Sequence, residues 1–219
     1  MRIYHYLPAE FALKDLKERR LKISRLNELN DPFELVAVRQ TEKASRKIWD
    51  SWRQDLIDRW GLVCFSKTWR NPVLWSHYGD KHKGFCLGFD VPDEKIIQIN
   101  YTKNRLDLDI LRLYENGKLD ESHMLRLFKT KFYDWRYERE VRVYSRLDLV
   151  DVDTGFYFCD FSDEMQLRDV FVGPLCTETE DTIRSHIQPE DAMVKIVRTR
   201  LAFKTFDVVE QKLGFIHEK

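Results

Sequence analysis

Apolar and polar residues alternate most regularly between Trp135 and Tyr144, and this period of two predicts a β-strand. One face is apolar apart from Arg139 and is predicted to lie in the core; it carries Trp135, Tyr137, Val141 and Val143. The opposite face carries Glu138, Glu140, Arg142 and Tyr144. Two carboxylates roughly 7 Å apart repel each other unless a cation lies close by. Arg142 can pair with one of them, which leaves the other for a ligand, a metal ion or a general-base role. The alternative is a solvated strand face with an ion pair inside the strand.

The same periodicities predict the other elements of the chain. Strands are predicted at 2–7, 21–24, 62–66, 84–90, 93–101, 147–152, 155–161, 167–172, 193–198 and 203–209. Helices are predicted at 9–20, 42–60, 72–78 and 179–186, with two more inside 105–131 on either side of Asn116-Gly117. We therefore expect an α+β fold in a single domain over residues 1–219. It would have mixed or antiparallel twisted sheets, flanking helices and a helical insert at about 105–131.

Composition narrows the classes of partner. The 219 residues include 37 Lys and Arg against 37 Asp and Glu, so no net charge favours nucleic acid or an anionic membrane. No apolar run approaches the ~18 residues of a membrane helix, and the first residues have no signal-peptide pattern. The four cysteines form no C-x-x-C pair and are predicted to be reduced, structural thiols. We therefore expect a cytoplasmic protein without a membrane partner.

Two strand residues and one loop are candidate ligand contacts. His5 lies between two tyrosines on the first predicted strand, where its ring can hydrogen-bond a ribose or carboxamide; the alternative is a core histidine with its bonds satisfied. Ser66 ends a buried strand and can contact a ligand in a crevice of the sheet, or else forms a turn. The loop Asn30–Glu34 is predicted to be held by Leu29 and Phe33, with its polar residues Asn30 and Asp31 available for binding; the alternative is a structural Asx-turn.

Other motifs are informative mainly by exclusion. The group His77, Tyr78, Asp80 and His82 matches no metal-ligand spacing, so no metal site is predicted there. The sequence contains no Gly-x-Gly-x-x-Gly, Walker-type, Gly-x-Ser-x-Gly or His-Glu-x-x-His motif. The commoner nucleotide-binding and hydrolase motifs are therefore excluded.

Several segments together resemble the bacterial domain-of-unknown-function 2971 family, with a likeness that extends over nearly the whole chain. The segments are Tyr4-His5-Tyr6, Leu29–Glu34, Phe65-Ser66, Leu74–Tyr78, Lys83–Asp90 and Trp135–Arg142. This resemblance implies a fold and domain limits, and it carries no established activity.

A second resemblance is to the ADP-ribosyltransferase superfamily. It rests on a histidine on the first strand, a serine ending a middle strand and a late Glu-x-Glu. It implies NAD as substrate, with His5 holding the ribose or nicotinamide end and Ser66 supporting the site. Glu140 would bond the nicotinamide ribose and stabilise an oxocarbenium-like transition state, and Glu138 would orient the acceptor. Tyr78 would stack on nicotinamide. The chain combines the histidine of one subclass with the serine of another, and the Ser-Thr-Ser run of the latter is missing around Ser66.

The leading hypothesis is an ADP-ribosyltransferase-like enzyme that uses NAD, of the type that acts as a bacterial defence or toxin effector. Its catalytic residues would be Glu140, Glu138 and His5. Its NAD-binding residues would be His5, Asn30, Asp31, Ser66, Tyr78 and Arg142, all facing one cleft. One alternative is a metal-dependent hydrolase or nuclease that uses Asp31, Glu34, Glu138 and Glu140. Another is a non-catalytic ligand-sensing or interaction domain. The acceptor and the oligomeric state stay open.

Overall fold

The computed structural model describes residues 1–34, 36–39 and 42–212, and strands and helices alternate along them. The strands are β1 (Arg2–Leu7), β2 (Arg20–Arg25), β3 (Trp60–Ser66), β4 (Phe85–Asp90), β5 (Ile97–Gln98), β6 (Asn100–Thr102), β7 (Thr130–Phe132), β8 (Glu140–Arg146), β9 (Tyr157–Asp160), β10 (Gln166–Val172), β11 (Lys195–Leu201) and β12 (Val208–Glu210). The helices are α1 (Ala9–Glu18), α2 (Lys43–Arg59), α3 (Pro72–His77), α4 (Ile110–Glu115), α5 (Glu121–Phe128) and α6 (Glu180–His186). Short 3₁₀ helices lie at Asp93–Lys95, Tyr133–Glu138 and Pro189–Asp191. None of the helices in this part of the chain combines the length and apolarity needed to cross a membrane.

The described chain divides into two compact units, each built from separate segments. Within the described residues, unit 1 contains 1–21, 64–96 and 159–212, and unit 2 contains 22–34, 36–39, 42–63 and 97–158. The prediction of a single domain stays a prediction. The segment predicted as a helical insert contains α4 and α5, and it lies in unit 2.

Unit 1 is built on a mixed sheet with the strand order β12-β11-β10-β4-β1, followed by the end of β3. Strand β4 is central, and it pairs antiparallel with β1 from Arg2↔Asp90 to Leu7↔Phe85. Strands β10 and β11 are parallel, whereas β11 and β12 form an antiparallel hairpin. The core contains Ile3, Phe85, Leu87, Phe89 and Val170, each without exposed surface. The large residues that alternate along β4 thus fill the core.

Unit 2 combines short strands with three helices. Strand β2 pairs with β3 at Ser24↔Leu62, β8 pairs with β3 and with β5, and β6 pairs parallel with β7. Helices α2, α4 and α5 belong to the same unit. Its core contains Trp49, Leu62, Ile110, Phe128 and Val141. The prediction of an α+β fold with mixed sheets is confirmed.

The strand predicted from Trp135 is wrong over its first half. Tyr133–Glu138 is a 3₁₀ helix, Arg139 has a left-handed backbone with φ 47°, and strand β8 begins only at Glu140. The part of the predicted strand that lies in the 3₁₀ helix is only four residues long, too short to separate a period of two from the three-residue repeat of a 3₁₀ helix. The strand predicted at 147–152 is also wrong, since residues 147–151 have no regular secondary structure and a turn begins at residue 152. The strand predicted at 203–209 is wrong over 203–207, where residues 203–206 form a bend.

Candidate functional site

A lysine from strand β7 lies at the centre of a buried group of charges in unit 2. Lys131 Nζ is 2.6 Å from Glu138 Oε2, 2.8 Å from Glu140 Oε2 and 3.7 Å from Glu34 Oε1. Its side chain is 4% exposed, and those of the three glutamates are 4–6% exposed. The ammonium also lies 5.0 Å from the centre of the Trp135 ring. A lysine this buried is found in proteins only with charged or hydrogen-bonding partners, and here it has three carboxylates.

Arg142, on strand β8, contacts two of these carboxylates, Glu140 and Glu34. Its Nε donates to Glu140 Oε1 at 2.6 Å, and its two terminal nitrogens donate to Glu34 at 2.5 and 3.0 Å. One of these nitrogens also donates to the carbonyl of Phe128 at 3.3 Å. The planar guanidinium fork matches a carboxylate with two parallel bonds, so Glu34 is fixed in orientation as well as in position. We call the five residues the ionic cluster: Glu34, Lys131, Glu138, Glu140 and Arg142.

Local backbone geometry explains how two neighbouring glutamates meet one lysine. Glu138 ends the 3₁₀ helix and Glu140 starts β8, and left-handed Arg139 turns the chain between them. The amide of Glu140 donates to Tyr101 Oη at 2.7 Å, which fixes the start of the strand. The predicted pairing of Arg142 with one carboxylate is therefore present, but Glu138 is not left over for a ligand, because Lys131 binds it.

An Asx-turn brings the fourth segment into the cluster. Asp31 Oδ1 accepts a hydrogen bond from the amide of Phe33 at 2.9 Å, and the amide of Glu34 donates to the Asp31 carbonyl at 3.0 Å. Phe33 is 53% exposed, so it is not the apolar anchor that was predicted for this loop. The loop is held by the bonds of Glu34 to Arg142, and the alternative of a structural Asx-turn describes Asp31 correctly.

Burial and charged neighbours together set the pKa values of Glu140, Lys131 and Tyr101. Burial by itself would raise the pKa of Glu140, but Arg142 and Lys131 outweigh it and lower that pKa to about 2. Burial would likewise lower the pKa of Lys131, but Glu140, Glu138 and Glu34 raise it above its usual value. Burial raises the pKa of Tyr101 to about 12, with the carboxylates of Glu140 and Glu138 adding to the effect. Glu140 and Lys131 are therefore both charged at neutral pH.

A cavity of about 260 Å³ lies beside the cluster in the same unit. Its buried floor consists of Asp31, Glu34, Thr130 and Lys131. Its exposed mouth carries Phe33, Lys103, Asn104, Arg105 and Phe132, and Val36, Ala37 and Thr102 complete the lining. The Arg105 guanidinium lies 5.3 Å from the centre of the Phe33 ring. The cavity thus has two buried carboxylates at its floor and two exposed cations with two aromatic rings at its mouth.

The predicted site residues fall in two groups. Asn30, Asp31, Glu138, Glu140 and Arg142 belong to unit 2, where the last three are members of the ionic cluster and Asp31 lines the cavity. Asn30 is exposed. His5, Ser66 and Tyr78 belong to unit 1. The prediction that both groups line one cleft stays a prediction.

The three unit 1 candidates make local structural contacts. His5 Nδ1 lies 2.8 Å from the Cys64 carbonyl, which makes Nδ1 the protonated nitrogen of the neutral ring, and burial lowers the pKa of His5. Ser66 Oγ accepts from the Thr68 amide at 3.2 Å, as in a turn-forming serine. Tyr78 ends helix α3, where its amide donates to the Leu74 carbonyl at 2.8 Å. These contacts match the structural alternatives for His5 and Ser66.

Sequence reasoning missed Lys131 and the part of the cavity lining that lies outside the loop Asn30–Glu34. Lys131 had been placed at the end of a helical insert, where a lysine usually faces solvent. A signal was available, because two buried glutamates need more positive charge than Arg142 supplies. Glu34 appeared only as a metal ligand in the hydrolase hypothesis. Within residues 1–34, 36–39 and 42–212, no group of three or more His, Cys, Asp or Glu side chains is placed to hold a metal ion.

Fold and site together define an α+β protein with a buried ionic cluster next to a cavity of small-molecule size. Residues 74–143 match the family model described as "Protein of unknown function (DUF2971)", which confirms the predicted resemblance over that segment. The segment includes Lys131, Glu138, Glu140 and Arg142, and it stops short of Asp31 and Glu34. No curated protein and no solved structure matches the chain.

Proposed function

We propose that the protein binds a nucleotide in the unit 2 cavity and uses NAD in a reaction of the ADP-ribosyltransferase type. The observation that carries this proposal is the polarity of the cavity, with Asp31 and Glu34 at the buried floor and Lys103 and Arg105 at the exposed mouth. Donor groups of a ligand would face the floor, and its phosphates would face the mouth. Phe33 and Phe132 supply aromatic faces for a ring system in between.

The size of the cavity limits how much of NAD it can enclose. Its volume of about 260 Å³ is below the ~300–1,000 Å³ typical of sites that enclose a drug-sized ligand. One heterocycle with its ribose would therefore lie inside, with the phosphates and the second nucleoside outside. We assign the enclosed part to nicotinamide riboside, which would bring C1′ of the ribose, the atom attacked in the reaction, next to Asp31.

The chemistry would be cleavage of the bond between nicotinamide and ribose. An acceptor hydroxyl or water attacks C1′ of the ribose, nicotinamide leaves with the bonding electron pair, and the acceptor loses a proton. Positive charge develops on the ribose in the transition state, and a fixed carboxylate stabilises it more strongly there than in the ground state. Glu140 was predicted for this role, but both its oxygens are bonded to cations. We therefore assign the role to Asp31, which lines the cavity, and a positioning role to Glu140.

A non-catalytic ligand-sensing domain is the second candidate. All three cluster carboxylates are paired with Lys131 or Arg142, so the cluster contains no reactive group. A cavity for a ligand beside an unreactive cluster favours a sensor. The metal-dependent alternative has no observation in its favour, since three of its four predicted ligands contact these same cations.

The test is incubation with NAD and measurement of nicotinamide release, with binding measured in parallel by calorimetry. For Asp31→Asn we expect a loss of rate on the order of 10²–10³-fold with NAD binding retained. Asp107→Asn is the matched control, because Asp107 is exposed in the same unit and outside the cavity lining. NAD binding without release for any acceptor would reject the transferase and support the sensor. Absence of NAD binding would reject the transferase and would also reject NAD as the ligand of a sensor.

A further inference from the structure

We infer that the tip of the β11–β12 hairpin in unit 1 docks on an anionic lipid surface. The hairpin tip consists of residues Ala202–Asp207, with the sequence Ala-Phe-Lys-Thr-Phe-Asp. Phe203 is 89% exposed and Phe206 is 97% exposed. Leu201 at the base of the tip is 54% exposed. Isolated apolar residues on a surface are common, but two nearly bare phenyl rings on one turn form a local apolar patch.

The tip is ordered by its own hydrogen bonds. The Ala202 amide donates to the Asp207 carbonyl at 2.9 Å, and Thr205 Oγ1 donates to Asp207 Oδ2 at 2.7 Å. Just beyond the tip, the Val208 amide donates to the Arg70 carbonyl at 2.9 Å, which attaches the hairpin to the loop before α3. Since the backbone is already fixed, docking of the two rings would require little further ordering.

Several basic residues belong to the hairpin tip or to the segments beside it. Lys204 lies between the two phenylalanines, and the Arg200 guanidinium lies 4.4 Å from the centre of the Phe203 ring. A cavity of about 550 Å³ beside the tip is lined by Pro72, His82 and residues 201–207. The exposed side chains flanking His82 are Lys81 and Lys83. With Arg70 they make five basic residues near the tip, against the acidic Asp80 and Asp207.

A clamped turn holds the lysines next to His82. Asp80, Lys81 and His82 all have left-handed backbones, with φ of 45°, 52° and 71°. The His82 amide donates to the Trp75 carbonyl at 3.1 Å, and the His82 carbonyl accepts from Leu175 at 3.0 Å. Three successive non-glycine residues in this conformation persist only where the surroundings enforce them, and such turns cluster at functional sites.

Apolar rings combined with flanking cations fit the interface of an anionic bilayer. Phenylalanine rings enter the boundary between headgroups and acyl chains, while lysine and arginine side chains stay at the headgroups. Each basic residue adds attraction to an anionic leaflet. The expectation of no membrane partner rested on the net charge of zero and the missing apolar run, and neither feature reports a local patch.

The test is cosedimentation of the full chain with vesicles of pure phosphatidylcholine or of equal parts phosphatidylcholine and phosphatidylserine. We expect binding to the phosphatidylserine vesicles that weakens at high salt. The double variant Phe203→Ser/Phe206→Ser should lower the partition coefficient on the order of 100-fold. Lys204→Glu should lower it on the order of tenfold on phosphatidylserine vesicles only. Phe11→Ser is the matched control, since Phe11 is 54% exposed on helix α1 of the same unit, and it should bind like wild type.

Two results would overturn the proposal. One is wild-type binding to phosphatidylserine vesicles that is no stronger than to phosphatidylcholine. The other is unchanged binding by the double variant, with thermal unfolding curves showing that it is folded. Sedimentation velocity distinguishes a different role for the tip. If wild type is a dimer, the double variant is a monomer and wild type does not bind vesicles, the lipid proposal is rejected and the tip is assigned to contact with a second copy of the chain. The outcome for NAD does not bear on this test, because the rings lie in unit 1 and the cavity in unit 2.

Discussion

At the scale of single residues, the ionic cluster depends on Lys131. Removing two buried charges from water costs several kcal/mol per ion, and the attraction between them repays this only with good geometry. Here each cation contacts more than one carboxylate, at distances of 2.5–2.8 Å for the closest contacts. Three carboxylates share two cations, so losing either cation leaves three buried negative charges to be balanced by one positive charge.

Substitution of Lys131 by methionine should therefore destabilise the fold strongly. We expect Lys131→Met to lower the free energy of unfolding by about 3–5 kcal/mol, because Glu138 and Glu140 lose their shared partner. Urea denaturation at pH 7 measures this effect. Lys118→Met is the control, because Lys118 is exposed in the same unit, and it should change the free energy of unfolding by less than about 0.5 kcal/mol. If Lys131→Met lowers the free energy of unfolding no more than the control does, the central role of Lys131 is contradicted.

Some residue contacts follow from the sequence and others do not. The pairing of Glu140 with Arg142 could be predicted because the two residues are two apart on one strand. The pairing of Arg142 with Glu34 could not, because the residues are 108 positions apart. His5 lies on strand β1 as predicted, yet only the structure gives its partner, the Cys64 carbonyl.

At the scale of elements, the junction between the 3₁₀ helix and β8 decides where the late glutamates point. Arg139 provides the turn with a left-handed backbone, which costs a non-glycine residue roughly 1–2 kcal/mol. Elements marked by strong local signals were predicted close to their observed bounds; they include β1, α1 and β4. The junction was mispredicted because its conformation is enforced by buried partners rather than by local propensity.

Glycine substitution tests this junction. Arg139→Gly should raise the free energy of unfolding by roughly 0.5–1 kcal/mol, because glycine adopts the left-handed conformation without strain. Arg136→Gly, in the preceding 3₁₀ helix, should lower it by a similar amount. Both arginines are exposed, so the pair is matched in burial, and thermal unfolding by calorimetry gives the sign of each change. Destabilisation by both substitutions would contradict the assigned backbone conformation.

At the scale of the whole molecule, pH sensitivity follows from the buried charges. The pKa of Glu140 is lowered from 4.5 to about 2, so its contribution to stability is present above pH 4.5 and is lost as the pH falls towards 2. The pKa of Lys131 is raised, so its contribution is present below its unfolded value of 10.5 and is lost only as the pH rises through the folded value. Both contributions are therefore complete at neutral pH.

Acid unfolding should show the contribution of Glu140 directly. We expect the free energy of unfolding of wild type to fall when the pH is lowered from 7 to 3. For Glu140→Gln this decrease should be smaller by about 2 kcal/mol. Urea denaturation at both pH values measures the difference. Glu115→Gln, at an exposed glutamate, should follow the wild-type pH dependence. Parallel curves for wild type and Glu140→Gln would show that other carboxyl groups govern the acid transition.

The bond between Arg142 and Glu34 also has a consequence for biosynthesis. A ribosome adding about 5–20 residues per second needs roughly 5–20 seconds to pass from one residue to the other, since they are 108 positions apart. During that interval the loop that forms part of the cavity floor has no guanidinium to hold it, and Lys131 is still missing for most of the time. The cavity is thus incomplete until most of unit 2 has been translated, so any function that depends on this cavity begins only late in synthesis.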